Sequence, residues 1–334
     1  MRQAAKSAGI KTLRRKDAKK LNLAFVYAGQ GSQYAGMGRD FYDNFLSYRQ
    51  IIDSLDVDFD LKKISFDGPD EVLTRTEYTQ PCMVAFAAGV SAMLAEEGIR
   101  PQMAAGLSLG EYSALQAAGV FDAQTAVSLA AFRGKAMENA VKGLACGMTA
   151  VLGLSREKLM AACTEASRLG VVEITNYNCP MQLVIAGEQA AVDEASRLAL
   201  EAGAKRCLPL KVSGPFHTSL MDPAAKQLHE EFKKVKFGEM AFPVIFNATA
   251  RPLGQDETLP QLLEKQVHQS VLFEDSVRYM AAQGIDTIVE IGPGKALSGF
   301  IRKTDKNIKT YNVEDVASFA ATVQALAAEG GYDD

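Results

Sequence analysis

Short apolar runs recur along the chain and are separated by longer stretches that favour helices. The runs at 23–27, 103–105, 243–246 and 287–291 consist mainly of Ala, Val, Ile, Leu and Phe. Short continuous apolar runs are typical of strands that are buried on both faces of a parallel sheet. We therefore predict strands of one sheet at these positions.

The stretches between these runs have helical character. We predict helices over 38–55, 79–97, 111–118 and 123–141, the second of which is long and mostly apolar. Strands that alternate with helices form βαβ units, in which the strands pair in parallel. The pattern therefore predicts a large parallel α/β domain.

The middle of the chain follows a different order of elements. A βαββαβ series is predicted there, which is typical of a ferredoxin-like α+β unit. Its strands are 148–153, 171–176, 182–187 and 204–210, and its helices are 156–169 and 190–202. We expect a ferredoxin-like small subdomain over 147–212, inserted into a discontinuous large domain over 21–146 and 213–330. A ligand is expected in the cleft between the two.

The first twenty residues differ from the rest of the chain. Residues 1–20 carry eight Lys or Arg and one Asp, with little apolar material. This composition lacks the apolar core of a secretory signal and predicts a basic leader. An organelle-targeting segment and an arm that meets an acidic partner are the alternatives.

Composition favours a soluble enzyme. The 334 residues are 48% hydrophobic and 23% charged, with a net charge of -4, so the chain can bury a sizeable core and gives no reason to expect nucleic acid binding. The longest apolar stretch, 83–95, is shorter than the ~18 residues of a membrane span. The five cysteines are scattered and lack a CxxC spacing, which favours reduced thiols in the cytoplasm and no metal site.

The most informative motif is Gly106-Leu107-Ser108-Leu109-Gly110, between a predicted strand and a predicted helix. A nucleophile elbow turns so tightly that it needs glycine two positions before and after the nucleophile. At the start of a helix, free backbone amides and the helix dipole favour a developing oxyanion. The motif indicates that Ser108 is a nucleophile, with close helix packing on small residues as the alternative.

A serine nucleophile needs a base, and histidine is the usual base near neutral pH. Of the three histidines, His229 falls on a polar helical stretch, which predicts a solvated position, and His268 follows a similar helix and is ambiguous. His217 comes after a Gly-Pro pair that excludes regular helix, so it lies on a loop leaving a strand. We predict that His217 is the base for Ser108, with an ordinary loop histidine as the alternative.

A glycine-rich turn, Gly29-Gln30-Gly31-Ser32-Gln33, follows the first predicted strand. It lacks the third glycine of the GxGxxG fingerprint, and the sequence has no Walker A loop, so it does not predict a nucleotide site. This turn and the Ser108 turn both leave the carboxyl ends of parallel strands. We expect the backbone N–H of Gln30 to face the oxyanion beside Ser108.

Arg133 and Gly134 interrupt a helix that otherwise consists mainly of Ala, Leu and Val. Glycine inside a helix costs ~1 kcal/mol relative to alanine, so solubility alone does not explain the pair. The planar guanidinium of arginine can bind a carboxylate through two hydrogen bonds. Arg133 is therefore a candidate for binding a carboxylate, and a surface arginine on a helix face is the alternative.

Taken together, the motifs resemble the malonyl-CoA:acyl carrier protein transacylases of type II fatty acid synthesis and the related acyltransferase domains of polyketide synthases. The resemblance covers roughly residues 23–327, with the motifs in the order of the family. They are 29–33 (family GQGSQ), 106–111 (GHSLGE), 133–137 (RGxxM), 176–182 (NxNxPxQ), 213–217 (the loop of the catalytic histidine) and 290–294 (ExGPG).

The resemblance implies a ping-pong mechanism with a malonyl-serine intermediate on Ser108 and His217 as the base. It implies that the Gln30 and Leu109 amides hold the oxyanion and that Arg133 pairs with the malonyl carboxylate. It also places the carbonyl that orients His217 at Leu272. Its further substrate-binding positions are Met137, Asn178, Gln182 and Phe216.

The resemblance also implies partners. Malonyl-CoA is the substrate, and the acyl carrier protein brings the phosphopantetheine thiol, so we expect no cofactor and no metal. We expect a cytoplasmic monomer that binds neither nucleic acid nor membrane. The carrier is expected to be acidic, with Lys205, Arg206 and the basic leader as candidate contacts.

Two positions bear on the substrate. Leu107 stands where the family usually has histidine, which removes a polar neighbour of the nucleophile; we expect altered substrate packing and retained activity. Phe216 resembles the bulky residue of malonyl-selective members, and a bulky wall would crowd an α-methyl group. We therefore expect malonyl to be preferred over methylmalonyl.

Three alternative functions remain open from the sequence. A discrete acyltransferase that serves a polyketide synthase in trans is excluded by no motif. A serine esterase of the α/β-hydrolase type shares the GxSxG elbow, but it would want an acid between the serine and the histidine and would not use Arg133. A non-catalytic module that binds the carrier protein would not need Ser108 and His217 together.

Overall fold

A computed structural model describes residues 21–210 and 214–329. The predicted leader over 1–20 and residue Ser213 of the histidine loop lie outside the described residues. Two separate sheets are present. The strands are β1 (Leu23–Tyr27), β2 (Met103–Gly106), β3 (Cys146–Leu152), β4 (Val172–Cys179), β5 (Gln182–Glu188), β6 (Arg206–Pro209), β7 (Val244–Ile245), β8 (Thr287–Ile291) and β9 (Lys309–Val313).

Helices connect most of these strands. In chain order they are α1 (Arg39–Asn44), α2 (Leu46–Ser54), α3 (Asp70–Leu73), α4 (Thr76–Glu96), α5 (Gly110–Ala117), α6 (Ala123–Ala140), α7 (Arg156–Ala166), α8 (Gln189–Glu201), α9 (Asp222–Phe232), α10 (Leu259–His268), α11 (Phe273–Ala282), α12 (Ala296–Thr304) and α13 (Val316–Glu329). A π-helical turn (Lys63–Asp67) and 3-10 turns at Ser167–Leu169 and Ser219–Met221 complete the set for the described residues.

The larger sheet is parallel throughout, in the order β7-β2-β1-β8-β9. All five residues of β1 are buried, because helices cover both faces of the sheet. The predicted parallel α/β organisation is therefore confirmed. Since the strands run in one direction, the loops that follow β1, β2, β7 and β8 all leave the same edge of the sheet.

The smaller sheet is antiparallel, in the order β4-β5-β3-β6. Side chains alternate between its faces, as the two-residue period of a strand requires. Val151 and Ile185 lie in a separate hydrophobic cluster with α7 and α8, whereas Ala150 and Val184 pack toward the core of the larger unit. One face of this sheet is therefore available to form a wall of a shared cleft.

Backbone hydrogen bonds and ion pairs join the units. Tyr177 N–H donates to the carbonyl of Val271 (2.9 Å), and Val271 N–H donates to the carbonyl of Thr175 (2.8 Å). Arg156 forms ion pairs with Glu274 and Asp275, both at 2.9 Å. The antiparallel sheet is thus bonded to the segment that leads into α11.

The predicted helix over 38–55 is two helices, because Phe45 adopts an extended backbone between them. The Phe45 ring packs edge-on against Phe319 of α13, with centroids 5.2 Å apart. A tertiary aromatic contact therefore accompanies a break that helical periodicity did not reveal.

Helix α4 begins at Thr76, earlier than predicted, and its 21 residues are long and apolar enough to cross a membrane by length and composition alone. Within the fold, however, 78% of its most apolar window is buried. It packs beside α6 in the main core, so its apolar character is explained by burial inside the protein.

Candidate active site

Ser108 lies in a tight turn between β2 and α5, as the sequence predicts. Its φ is 53°, a left-handed conformation that is uncommon for residues other than glycine. A Cβ atom on Gly106 would lie 1.9 Å from the carbonyl carbon of Gly110, and one on Gly110 would lie 2.2 Å from the carbonyl oxygen of Tyr27. Both glycines are therefore required by the close approach of backbone to backbone.

His217 meets Ser108 across a sequence separation of 109 residues. Its Nε2 atom lies 2.6 Å from Ser108 Oγ. Its Nδ1 atom lies 2.7 Å from the backbone carbonyl oxygen of Gln266. Because a carbonyl can only accept, Nδ1 carries the proton and Nε2 presents its lone pair to the hydroxyl. This arrangement can remove the proton of Ser108 during attack on a carbonyl.

The surroundings of His217 keep its imidazole neutral. Burial, together with the positive charge of Arg133, lowers the pKa of His217 to about 3. Backbone hydrogen bonds at Gln266 and Gln269 oppose this shift without overcoming it. A neutral imidazole is the form that can act as a base.

The prediction that Leu272 supplies the carbonyl for His217 is wrong; Gln266 supplies it. Gln266 lies in the last turn of α10, where backbone carbonyls have no donor within the helix and can accept from a side chain. Leu272 instead precedes α11, and its carbonyl accepts from the backbone N–H and the hydroxyl of Ser276.

The other two histidines pair with acids away from Ser108. His229 Nδ1 lies 2.9 Å from Glu264, on an exposed part of α9, as its polar surroundings predict. His268, which the sequence left ambiguous, pairs with Asp222. Of the three histidines, all of them within the described residues, only His217 contacts the serine.

The glycine-rich turn after β1 lies beside the elbow. A Cβ atom on Gly29 would lie 2.5 Å from the carbonyl oxygen of Leu107, so the two loops touch through their backbones. The Gln30 side chain donates to Thr76 Oγ1 at 3.1 Å, which anchors the turn to the start of α4. In the described part of the chain, the backbone N–H groups of Gln30 and Leu109 have no hydrogen-bond partner, and both residues line the same cavity.

Arg133 is fully buried, so the alternative of a surface arginine is wrong. Its Nη1 donates to Gln80 Oε1 (2.9 Å), and its Nη2 donates to Ser108 Oγ (3.2 Å) and Gln266 Oε1 (3.0 Å). The guanidinium carbon lies 5.6 Å from the ring centre of Tyr112. Burial lowers the pKa of Arg133, although arginine remains charged in proteins.

The hydrogen-bond partners of Arg133 in the described residues are neutral side chains, and its Nε atom has no partner. Burial raises the pKa of Glu111, the acidic side chain whose charge acts on Arg133, to about 8, so this carboxyl does not fully neutralise the cation near pH 7. A buried charge is costly unless it is paired. The site is therefore suited to a ligand that brings its own negative charge.

Gly134 explains how Arg133 reaches this position. A Cβ atom at Gly134 would lie 2.7 Å from the carbonyl oxygen of Thr76. Helix α6 can approach the start of α4 only because this side chain is absent. The Arg-Gly pair therefore combines a buried cation with the close contact of helices that buries it.

These groups surround a cavity of about 510 Å³ between the two sheets. Ser108, His217 and Arg133 line it together. The remaining predicted substrate-binding residues also line it: Met137, Asn178, Gln182 and Phe216. The buried Asn178 Oδ1 has no hydrogen-bond partner within 21–210 and 214–329, and Gln182 Oε1 accepts from Lys303 at 2.9 Å. Leu107 lines the same cavity, beside the elbow.

Sequence reasoning missed three polar residues of this site. Gln80 and Gln266 bind the guanidinium of Arg133, and Gln266 Nε2 also donates to the carbonyl of Ser108 at 2.6 Å. Asn247 binds the backbone of the elbow. These are common polar residues in ordinary helix and loop sequences, so no local pattern distinguishes them.

No group of three or more His, Cys, Asp or Glu residues within 21–210 and 214–329 has an arrangement that could hold a metal ion. The five cysteines all lie in these ranges and are unpaired, as predicted.

Comparisons with known proteins agree with this geometry. The acyl transferase domain family matches residues 24–324. The malonyl CoA-acyl carrier protein transacylase of Bacillus subtilis is 38% identical over 310 residues, which cover 92% of this chain and 98% of that protein. The crystal structure of the transacylase from Streptococcus pneumoniae is 46% identical and has a TM-score of 0.87, covering 91% of this chain and 99% of that one.

A further similar structure holds a malonyl-transacylase in complex with the holo form of a type II polyketide acyl-carrier protein. That chain is 36% identical, with a TM-score of 0.88, and the match covers 91% of this chain and 99% of that one. The family match spans nearly all described residues, and these relatives are covered almost completely. The chain belongs to the acyl transferase domain family, and it is an acyltransferase.

Proposed function

We propose that this protein transfers the malonyl group from malonyl-CoA to the phosphopantetheine thiol of acyl carrier protein, through a malonyl ester on Ser108, and so supplies fatty acid synthesis. The observation that carries the proposal is the position of Arg133. A buried guanidinium that has no carboxylate hydrogen-bond partner among the described residues lies 3.2 Å from the hydroxyl that would carry the acyl group. An acyl group that ends in a carboxylate supplies the missing charge.

In the first half-reaction, Ser108 Oγ attacks the thioester carbonyl while His217 Nε2 takes the hydroxyl proton. The backbone N–H groups of Gln30 and Leu109 donate to the oxyanion; this assignment is supported by their lack of a hydrogen-bond partner among the described residues and by the position of both residues in the cavity lining. The C–S bond then breaks, and His217 returns the proton to the departing CoA sulfur. The malonyl ester remains on Ser108.

In the second half-reaction, the thiol of the carrier's phosphopantetheine replaces CoA in the cavity. His217 takes the thiol proton, and the sulfur attacks the ester carbonyl. The bond between the carbonyl carbon and Ser108 Oγ breaks, and Oγ recovers the proton from His217. The malonyl group moves from CoA to the carrier, and His217 returns each proton that it takes. The mechanism requires no cofactor.

Arg133 and the walls of the cavity together hold the malonyl group. Arg133 pairs with the malonyl carboxylate, while the amide side chains of Asn178 and Gln182 and the apolar side chains of Met137 and Phe216 form the walls. Asn178 Oδ1 is buried and has no partner in the part of the chain that the structure describes, which leaves a polar group available to a ligand. The pairing fixes the ester in a buried site, where it awaits a thiol rather than water.

The same proposal includes the finer features of the fold. We assign a ferredoxin-like subdomain to 147–212, supported by the order β4-β5-β3-β6 of its antiparallel sheet. The large domain over 21–146 and 213–330 is of the α/β-hydrolase-like type, supported by the nucleophile turn between β2 and α5. The substrate site lies between the two.

The proposed partner is acyl carrier protein, supported by the similar malonyl-transacylase in complex with an acyl-carrier protein. We propose a cytoplasmic monomer that binds neither nucleic acid nor membrane, supported by the net charge of -4 and by the burial of α4 in the core. Lys205 and Arg206, both exposed, are proposed contacts for an acidic carrier surface.

The esterase alternative is less well supported by the site. An α/β-hydrolase orients its histidine with an acidic side chain, whereas His217 Nδ1 donates to the backbone carbonyl of Gln266. An esterase would also have no use for the buried Arg133. A module that only binds the carrier would not need a hydroxyl and an imidazole 2.6 Å apart.

The direct test is mass spectrometry of the intact protein after mixing with malonyl-CoA. We expect an increase of one malonyl group, located on the peptide that contains Ser108 and lost when holo acyl carrier protein is added, with matching malonylation of the carrier. Rapid release of free malonate without transfer would instead identify a hydrolase. A protein that gains no mass would refute the covalent mechanism.

A further inference from the structure

Asn247 lies next to the nucleophile turn without belonging to any of the sequence motifs. It follows β7, the strand that pairs with β2 at the edge of the parallel sheet. Because parallel strands end at the same edge, Asn247, two residues after β7, comes close to Ser108, two residues after β2. Asn247 is buried at this position.

The side chain of Asn247 binds the elbow at two points. Its Oδ1 accepts a hydrogen bond from Ser108 N–H (2.6 Å), and its Nδ2 donates to the carbonyl of Gly106 (2.7 Å). The two bonds lie on either side of Leu107. A single amide group thus holds the backbone in which Ser108 adopts a φ of 53°. Such uncommon backbone conformations persist only when the surroundings fix them.

These bonds also determine which amides remain available to a substrate. The N–H of Ser108 is occupied by Asn247, whereas the N–H groups of Leu109 and Gln30 have no partner among the described residues. If the peptide plane before Ser108 rotated, the Oγ direction and the Leu109 amide direction would change together. The bond from Asn247 prevents this rotation.

Asn247 is itself held from both sides. Its backbone N–H donates to Glu111 Oε2 (2.6 Å), in the first turn of α5, and its carbonyl accepts from Leu272 N–H (2.9 Å). The same residue therefore bonds to the end of β2, to the nucleophile and to the start of the following helix. The other carboxyl oxygen of Glu111, Oε1, is buried without a partner among the described residues, so the Glu111 side chain makes its one hydrogen bond there to Asn247.

We propose that Asn247 is a positioning residue for acyl transfer, which holds the elbow so that Ser108 Oγ faces His217 and the Leu109 N–H faces the substrate carbonyl. This inference rests on the proposed function. Asn247 forms no hydrogen bond with His217 or Arg133, so it acts through the backbone of the elbow and not through the substrate carboxylate.

The test compares Asn247→Ala with the wild-type protein in a single-turnover measurement of Ser108 acylation by malonyl-CoA. We expect the acylation rate to fall by roughly 100-fold, the size of the loss of one oxyanion donor. The Kd of malonyl-CoA, measured in a Ser108→Ala background, should change by less than about threefold, because Arg133 and the cavity are intact. Asn312→Ala, which removes an Asn side chain from β9 at the opposite edge of the same sheet, is the matched control and should acylate normally.

A second variant keeps the test decisive if Asn247→Ala does not fold. In Asn247→Asp, a protonated carboxyl offers one donor and one acceptor, as the amide does, whereas an ionised carboxylate would face the Gly106 carbonyl with a second acceptor. Its acylation rate should therefore recover at low pH relative to wild type. Glu111 and His217 are the titratable groups bonded to Asn247 and Ser108, so the same series is run with Glu111→Gln alone.

The outcomes separate the two proposals. If wild-type protein forms no malonyl adduct, the proposed function fails. If wild type is acylated but Asn247→Ala is acylated at the same rate per folded site, or loses only affinity for malonyl-CoA, the positioning role of Asn247 is refuted. An Asn247→Asp profile that parallels wild type at all pH values would also refute it.

Discussion

The Nη2 atom of Arg133 lies 3.2 Å from Ser108 Oγ, so the buried cation and the serine hydroxyl are direct hydrogen-bond partners. In a malonyl ester, one methylene separates the ester carbonyl from the carboxylate. The carboxylate of a malonyl ester on Ser108 therefore falls within reach of the Arg133 guanidinium. The distance between these two residues thus matches the length of a short dicarboxylic acyl group.

Arg133→Ala should reduce acylation by malonyl-CoA roughly 10- to 100-fold, since a hydrogen bond to a charged group contributes about 1.5–3 kcal/mol. Acylation by acetyl-CoA should be spared or improved, because acetyl has no carboxylate to hold. The rates are compared by single-turnover release of CoA. Arg251→Ala, which removes an exposed arginine paired with Glu257, serves as the control and should affect neither substrate. Equal losses for both acyl groups would refute the role of Arg133.

Ser108→Ala should abolish the malonyl adduct, because no other hydroxyl in the described residues is bonded to His217. The measurement is intact-protein mass after exposure to malonyl-CoA. Ser54→Ala, at an exposed helix end, should retain the full adduct. Residual labelling of Ser108→Ala at another residue would show that the nucleophile is wrongly assigned.

The pH dependence of acylation follows from the neutral state of His217. Because burial and Arg133 lower the pKa of His217 to about 3, the base stays unprotonated well below the usual histidine range. We expect no fall in the acylation rate as the pH is lowered through ~6.5, the ordinary pKa of histidine. Pre-steady-state CoA release measured between about pH 5 and 8 checks this. A midpoint near the ordinary value would show that His217 titrates freely.

The same shift has a consequence for stability. The folded protein keeps His217 neutral, while the unfolded chain takes up a proton below pH ~6.5. The contribution of this residue to folding therefore becomes less favourable as pH falls through that value, and it levels off near the folded pKa of about 3. Urea unfolding of the wild-type protein at several pH values measures how the free energy of unfolding changes with pH.

The pKa shift of Glu111 predicts the opposite pH dependence of the free energy of unfolding. Burial raises the pKa of Glu111 from 4.5 to about 8, so the folded state holds a proton that the unfolded chain has lost. Its stabilising contribution is full below pH 4.5 and is lost as pH rises toward 8, with a size on the order of a few kcal/mol. Glu111→Gln, which mimics the protonated acid, should remove this slope. Unfolding by urea between about pH 5 and 8 measures it, and an unchanged slope would show that Glu111 is ionised in the fold.

Phe216 is expected to set the preference for malonyl over methylmalonyl. It is buried and forms part of the cavity wall. Phe216→Ser should raise the ratio of methylmalonyl to malonyl transfer about tenfold, which is the usual scale for one methyl group in an apolar pocket. The ratio is measured in competition with equal concentrations of both CoA esters, with Phe216→Leu as the conservative comparison. An unchanged ratio would mean that another wall selects the substrate.

The local order of strand, turn and helix could be predicted because it depends on neighbours in the chain. Gly106 and Gly110 are required by backbone approach within the turn, and the apolar run of β1 reflects burial on both faces. By contrast, the break at Phe45 is accompanied by packing against Phe319, which lies in α13. No window of sequence contains both rings.

The candidate active site likewise combines residues that local sequence predicts with a contact that only the tertiary structure determines. Ser108, His217 and Arg133 were identified from local motifs, yet the carbonyl that orients His217 was assigned to Leu272 instead of Gln266. The choice depends on which carbonyl of α10 is left without a helical donor and faces the imidazole. The register of a helix end against a loop 49 residues away is a tertiary property.

The sequence by itself determined which chemical groups are present: a hydroxyl in a turn that only glycines permit, an imidazole on a loop and a guanidinium in an apolar helix. Those assignments follow from covalent structure and short-range sterics. Only the tertiary structure decided that the cation is buried without a carboxylate, that Gln266 links it to the histidine and that Asn247 binds the elbow. The physical reason is that burial and hydrogen bonding are set by the packing of segments distant in the chain, and these determine the charge state and direction of each group.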